Sequence, residues 1–219
     1  MDQKVRTMLE QLFLIFIDKY PDPLNAWDKL IEFIAIDNHS PLFSELDYNF
    51  QWFYQNKEFI ESVMSIYDSN LLKDDYYDHL GEMFYDKIVS KGLVESTNDY
   101  LINQDKAQLL IPQKLRNTHI PNTVFDPAVG SGRLLMAVYQ VSPKAILCGV
   151  DSDIRLLRIA YTNLLIHNIP GYLLHADESK HETDISTREG MYNWRYYNKW
   201  HSCMNKLLPK CKNVTTKIQ

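Results

Sequence analysis

Cysteine is scarce in this sequence, and so is positive charge. Cys148, Cys203 and Cys211 are odd in number and lack metal-type spacing, which argues against a metal site and suits structural thiols in a reducing compartment. Lys and Arg total 23 against 28 Asp and Glu, a formal charge of -5, so the chain is not built to wrap nucleic acid over its whole surface. A local basic face stays open. Apolar runs are short: "LFLIFI" near the start is broken by Asp18 and Lys19, well below the roughly 20 residues of a membrane span. The first residues also lack a small-residue cleavage site, and a cytoplasmic protein without a membrane anchor is expected.

What is present is an ordinary globular composition, 45% hydrophobic, arranged in two styles. Up to residue 92 the apolar spacing is helical. "VRTMLEQLFLIFIDKY" puts Met8, Leu9, Leu12, Ile15 and Phe16 on one stripe and stops at Pro21 and Pro23. "LNAWDKLIEFIAI" and the aromatic "FQWFYQNKEFIESVMSIY" repeat the pattern, the aromatics reading as core filling in preference to a base-stacking surface. "DDYYDHLGEMFYDKIVSKG" predicts a fourth helix that begins under its acidic residues and ends at Gly92. Residues 1–92 are therefore expected to form a helical domain.

Residues 93–219 are expected to form an α/β domain. "NTVFDPA", "KAILCGVD" and "GYLLHAD" each read as a strand ending in an aspartate, the first two followed by helical spacing. Ile154, Leu157, Tyr161 and Leu164 line the second helix. That alternation is half of a doubly wound parallel sheet. Gly130 and Gly132 fall where the first strand turns into a helix, the place where backbone approaches a ligand closely. Asp126, Asp151 and Asp177 fall at the three strand tips, facing the crevice where such sheets bind ligands. An aspartate after the second strand suits a ribose diol, because a carboxylate accepts two hydrogen bonds; the plainer alternative is that these acids cap helices. No Gly-Lys-Ser/Thr follows the glycines, which excludes a phosphate-loop nucleoside triphosphatase.

"DPAVGSGRLL" resembles the first motif of N6-adenine DNA methyltransferases, most closely the modification subunits of type I restriction systems and their phage or mobile-element relatives. "GVDSDIRLLRIAYTNLLIHNI" and "HAD" are similar to that family's next motifs, and "YDHLGEMFYDKI" to the helix before its cofactor-binding Phe-Thr-Pro segment. The resemblance implies a partial Rossmann-like class I methyltransferase sheet after an N-terminal helical bundle, with S-adenosylmethionine as cofactor. Asp126, Pro127, Ala128, Val129, Gly130, Ser131 and Gly132 would hold the methionine end, Asp151 the ribose, Ser152 the adenine pocket's edge and Asp177 the adenine amino group. Leu101, Ile102 and Asn103 stand where the family has Phe-Thr-Pro.

The family's catalytic Asn/Asp-Pro-Pro-aromatic motif, which holds a flipped adenine, has no counterpart after Asp177. Asn193 to Tyr196, "NWRY", keeps the asparagine and the aromatic without the prolines, and no apolar strand precedes it. Too little chain follows Asp177 for the several βα units of about 30 residues each that would complete the sheet. Three readings follow: a cofactor-binding member that is catalytically incomplete alone, a minimal DNA adenine methyltransferase using Asn193 and Tyr196, or a non-catalytic module of a restriction or replication complex. DNA and a second subunit or second copy are the implied partners. Strand one is expected to be a bare sheet boundary, covered by the aromatic segment from Tyr192 to Trp200 or by that partner.

Overall fold

A computed structural model describes residues 1–38, 55–73, 76–94, 123–126, 128–175 and 191–193. The chain divides into two compact units, Met1–Leu101 and Ile102–Gln219.

The first unit is helical. It contains α1 (Gln3–Lys19), α2 (Pro23–Asp37), α3 (Lys57–Met64), the single turn α4 (Ser69–Leu72) and α5 (His79–Lys87) with a 3-10 turn at Val89–Lys91. Aspartates start α1, α2 and α5 by accepting bonds from first-turn amides: Asp2 from Lys4 at 2.8 Å, Asp22 from Asn25 at 3.0 Å, Asp78 from Gly81 at 2.7 Å. The core is aromatic. Phe16 meets Phe59 edge-on at 5.0 Å, Phe33 meets Tyr67 at 5.0 Å, and Trp27 lies 5.4 Å from Phe84. Phe16, Phe33, Trp27 and Phe84 are buried, each contributing about 1.5 to 3 kcal/mol. Phe59 and Tyr67, from the aromatic stretch read as core filling, pack among these rings, while Phe50, Trp52, Phe53 and Tyr54 of that stretch lie outside the described residues.

The fourth helix starts later than its acidic run suggests. Tyr76 adopts φ +50, which breaks helical geometry, and Asp78 then caps a helix whose first residue is His79. Its end is as expected, with Gly92 in the left-handed conformation.

The second unit is built on a sheet. β1 (Thr123–Asp126), β2 (Ile146–Asp151) and β3 (Gly171–His175) are parallel neighbours, joined through α6 (Arg133–Val141) and α7 (Ile154–Ile166). Register places Asp126 opposite Gly149 and Asp151 opposite His175, so the expected strand tips share one end of the sheet. Leu157, Tyr161 and Leu164 are fully buried on α7, as their spacing predicts, whereas Ile154 is half-buried. Thr162 and Asn163 are buried too, so α7 is enclosed on more than one stripe.

A second expectation fails. Met191–Asn193 forms a fourth strand, β4, antiparallel to β3, with Asn193 opposite Tyr172 and Met191 opposite Leu174. A three-residue strand is shorter than the window over which alternation can be read, and edge pairing is satisfied by backbone groups alone. Tyr192 and Asn193 therefore pair with the β3 edge, and the rest of the aromatic segment, to Trp200, lies outside the described residues. Among the described residues β1 has a neighbour on the β2 side only. No described helix is long and apolar enough to cross a membrane, and no group of metal-ligating side chains occurs among the described residues.

Candidate functional site

The turn between β1 and α6 is held against the sheet at successive backbone positions. Asp126, buried at the tip of β1, accepts from the Ala128 amide at 3.2 Å. The Val129 amide donates to the Val150 carbonyl of β2 at 2.9 Å, and the Gly130 amide donates to Asp151 Oδ2 at 2.7 Å. The Gly132 amide closes the turn on the Val129 carbonyl at 2.9 Å. Gly130 and Gly132 have φ +54 and +84, values that favour glycine, which is why the sequence places two glycines around Ser131.

The side chains behind the turn are fitted to it. A Cβ on Gly149 would come within 2.7 Å of Val129 Cγ2, so the bare β2 backbone makes the hollow in which buried Val129 sits. A Cβ on Gly132 would lie 3.2 Å from Ala160 Cβ, and Asn163 Nδ2 donates to the Ser131 carbonyl at 2.9 Å. In front, Gly130 has nothing within 4 Å of where a Cβ would point. Glycine stands at the N-cap of α6, so no side-chain cap bond is made from that position. The turn is supported behind and open in front.

Asp151 is the hinge of this arrangement. Its Oδ2 takes the Gly130 amide and its Oδ1 takes the Asp153 amide at 2.8 Å. The helix cap is a different residue: Asp153 starts α7 by accepting from Arg155 at 2.8 Å. Burial pushes the Asp151 carboxyl above its ordinary value of 3.8, while the two amides pull it back. Each carboxylate oxygen accepts more than one bond, so acceptor capacity remains on both. Beside it, His175 Nε2 lies 3.1 Å from the carbonyl of exposed Ser152.

Of the residues expected from the sequence, Asp126, Ala128, Val129, Gly130, Ser131, Gly132, Asp151 and Ser152 are brought together here. Leu101, Ile102, Pro127, Asp177 and Tyr196 lie outside the described residues. The backbone of Asn193 is on β4, two strand positions beyond β2 and across β3 from the turn. Sequence reasoning missed Gly149, Ala160, Asn163 and His175. The asparagine left one signal, a buried-face polar residue in the apolar run "YTNLLI".

The sequence matches the family described as N-6 DNA Methylase over residues 79–203. The fold is similar to that of a protein from Listeria monocytogenes assigned as a class I S-adenosylmethionine-dependent methyltransferase. The identity is 15% and the TM-score 0.51, over 88% of this chain and 66% of that one. It is also similar to the methyltransferase subunit of a type I restriction-modification system from Streptococcus thermophilus, at 18% identity and TM-score 0.40, over 81% of this chain and 41% of that one. This chain thus spans less than two thirds of either protein. No curated protein matches it.

Proposed function

The chain belongs to the N-6 DNA methylase family, and we propose that it binds S-adenosylmethionine in the crevice formed by the glycine turn and the tips of β1 and β2. The observation that carries this reading is the Asp151 carboxylate, which is bonded to the Gly130 amide at 2.7 Å and so ties the glycine turn to the tip of β2, while a carboxylate accepts further bonds. A ribose diol seated on Asp151 would leave the methionine end against Asp126 and the turn from Pro127 to Gly132. The open face of Gly130 gives that end room. The N-terminal end of α6, which follows Gly132, would turn a positive dipole end toward its carboxylate. Ser152 would border the adenine and Asp177 would take its amino group, while Leu101 and Ile102 stand in the sequence where the family has its cofactor-binding Phe-Thr-Pro segment. Bound there, the cofactor supplies an activated methyl group.

The acceptor proposed is DNA adenine, on the strength of the family, in a cytoplasmic setting. The sequence has no Asn-Pro-Pro-aromatic motif to hold a flipped base, so the chain is proposed to bind cofactor and to need a second polypeptide for methyl transfer. Calorimetry tests the first step: saturable heat with S-adenosylmethionine or S-adenosylhomocysteine is expected, and none at millimolar ligand refutes it. Transfer of labelled methyl to mixed DNA, with and without proteins co-purified from the native host, tests the second. Robust transfer by the chain alone, abolished by Asn193→Ala, would instead establish a minimal enzyme using Asn193 and Tyr196.

A further inference from the structure

The geometry points to Asn163 as the positioning residue of the cofactor turn, fixing through one peptide group which way the turn presents its amides. The peptide between Ser131 and Gly132 is free to rotate on one side, because one of its two flanking torsions is the φ of a glycine, Gly132, at +84. In a trans peptide the carbonyl and amide point in opposite directions, so holding both ends fixes the plane. Both ends are held. The Ser131 carbonyl accepts from Asn163 Nδ2 at 2.9 Å, and the Gly132 amide donates to the Val129 carbonyl at 2.9 Å.

The holding side chain comes from the other crossover helix, 32 residues away. Asn163 is 1% exposed in the interior of α7, where asparagine is a poor helix former and a buried amide is costly unless bonded. Leucine or alanine would suit the helix better, so the residue is explained by what it holds rather than by local stability. Ala160, three positions earlier on the same helix, sets the depth of the same contact, lying 3.2 Å from a Cβ built on Gly132. The start of α6 follows from Gly132, so the direction of its first amides is set from α7.

Because Asn163 acts through the turn, its role depends on the turn taking the methionine end of the cofactor, the reading given above. The full chain and its Asn163→Ala and Asn163→Leu variants are titrated with S-adenosylhomocysteine and with methylthioadenosine, which keeps the nucleoside but lacks the amino-acid group. Both variants should bind S-adenosylhomocysteine about fivefold to tenfold more weakly, the loss of one well-placed hydrogen bond, with methylthioadenosine unchanged. A merely structural role would weaken both ligands together, and that result, or no change in either, overturns the assignment. Leucine fills the volume that alanine vacates, so agreement between the variants separates the lost donor from a cavity. If the wild-type chain binds neither ligand, the cofactor reading falls, and hydrogen exchange over residues 126–133 decides the clamp alone. Faster exchange there in both variants, with β2 unchanged, upholds it, and unchanged exchange overturns it.

Discussion

Gly149→Ala adds one methyl group to the middle of β2, and the turn should feel it. The new carbon would lie 2.7 Å from Val129 Cγ2, 2.8 Å from Val129 Cβ and 2.9 Å from Leu173 Cδ2. Comfortable carbon contacts begin near 3.5 Å, so each neighbour must retreat by about 0.6 to 0.8 Å. Leu173 can do so by rotating its end. The Cβ of Val129 is fixed to the backbone, so it moves only if the turn moves. That motion stretches the bond from the Val129 amide to the Val150 carbonyl, now 2.9 Å, and tilts the Gly130 amide away from Asp151. Overpacking of this kind costs about 1 to 3 kcal/mol, and a strained turn bond adds up to about 1 kcal/mol. Denaturant unfolding should show that loss, and S-adenosylhomocysteine should bind about tenfold more weakly. Val129→Ala removes the Cγ2 contact, so the double variant should lose less than the two single losses combined. Unchanged stability and affinity in Gly149→Ala, or full additivity with Val129→Ala, would refute the account of the hollow.

Two pH dependences of opposite sign follow. Burial raises Asp151 above 3.8, so the folded chain holds that proton more tightly than the unfolded one. Its contribution to stability is therefore present below the ordinary value and lost as pH rises through the folded one. The stability of wild type relative to Asp151→Asn should then fall as pH rises above the ordinary carboxylate value in denaturant melts, and a flat difference would contradict this. Burial, aided by the N-terminal ammonium, lowers His79 below its ordinary 6.5 against the pull of Asp78, Glu82 and Asp2. Its contribution is present above that value and lost as pH falls through the folded one. An NMR titration of His79 with a midpoint at or above 6.5 would sink the assignment.

What the sequence made legible was local. β1, β2 and β3 were readable because buried parallel strands are continuous apolar runs, and each ended at an acid or within two residues of one. The two glycines were readable because a Gly-x-Gly at a strand-to-helix turn has few purposes. What holds the turn was not readable, since Asn163 and Ser131 are 32 residues apart and Gly149 meets Val129 only once β2 lies beside β1. Two local errors had local causes. The acids of "DDYYD" imitate a helix's first turn, but the true start is set by Tyr76 leaving helical φ and by the Asp78 cap. The strand at Met191–Asn193 is too brief for periodicity to register.

The double engagement of Asp151 also changes how its role toward the cofactor has to be tested. Substituting it with alanine removes the acceptor for the Gly130 amide at 2.7 Å and the Asp153 amide at 2.8 Å, so the turn loosens whether or not a ribose ever touched the carboxylate. Weak binding by that variant therefore says nothing specific about the diol. Changing the ligand leaves the protein's own bonds intact. Analogues of S-adenosylhomocysteine that lack one or other ribose hydroxyl should each bind more weakly, by about 1.5 to 3 kcal/mol for a hydrogen bond to a charged group, or roughly tenfold to 150-fold. Asp151→Asn keeps the shape but replaces one acceptor with a donor. In that variant the penalty for at least one missing hydroxyl should shrink, because the contact it would have made is already gone. Calorimetry on the two proteins and three ligands gives the coupling directly. Equal penalties in wild type and Asp151→Asn would mean that Asp151 only braces the turn and that the ribose is held elsewhere.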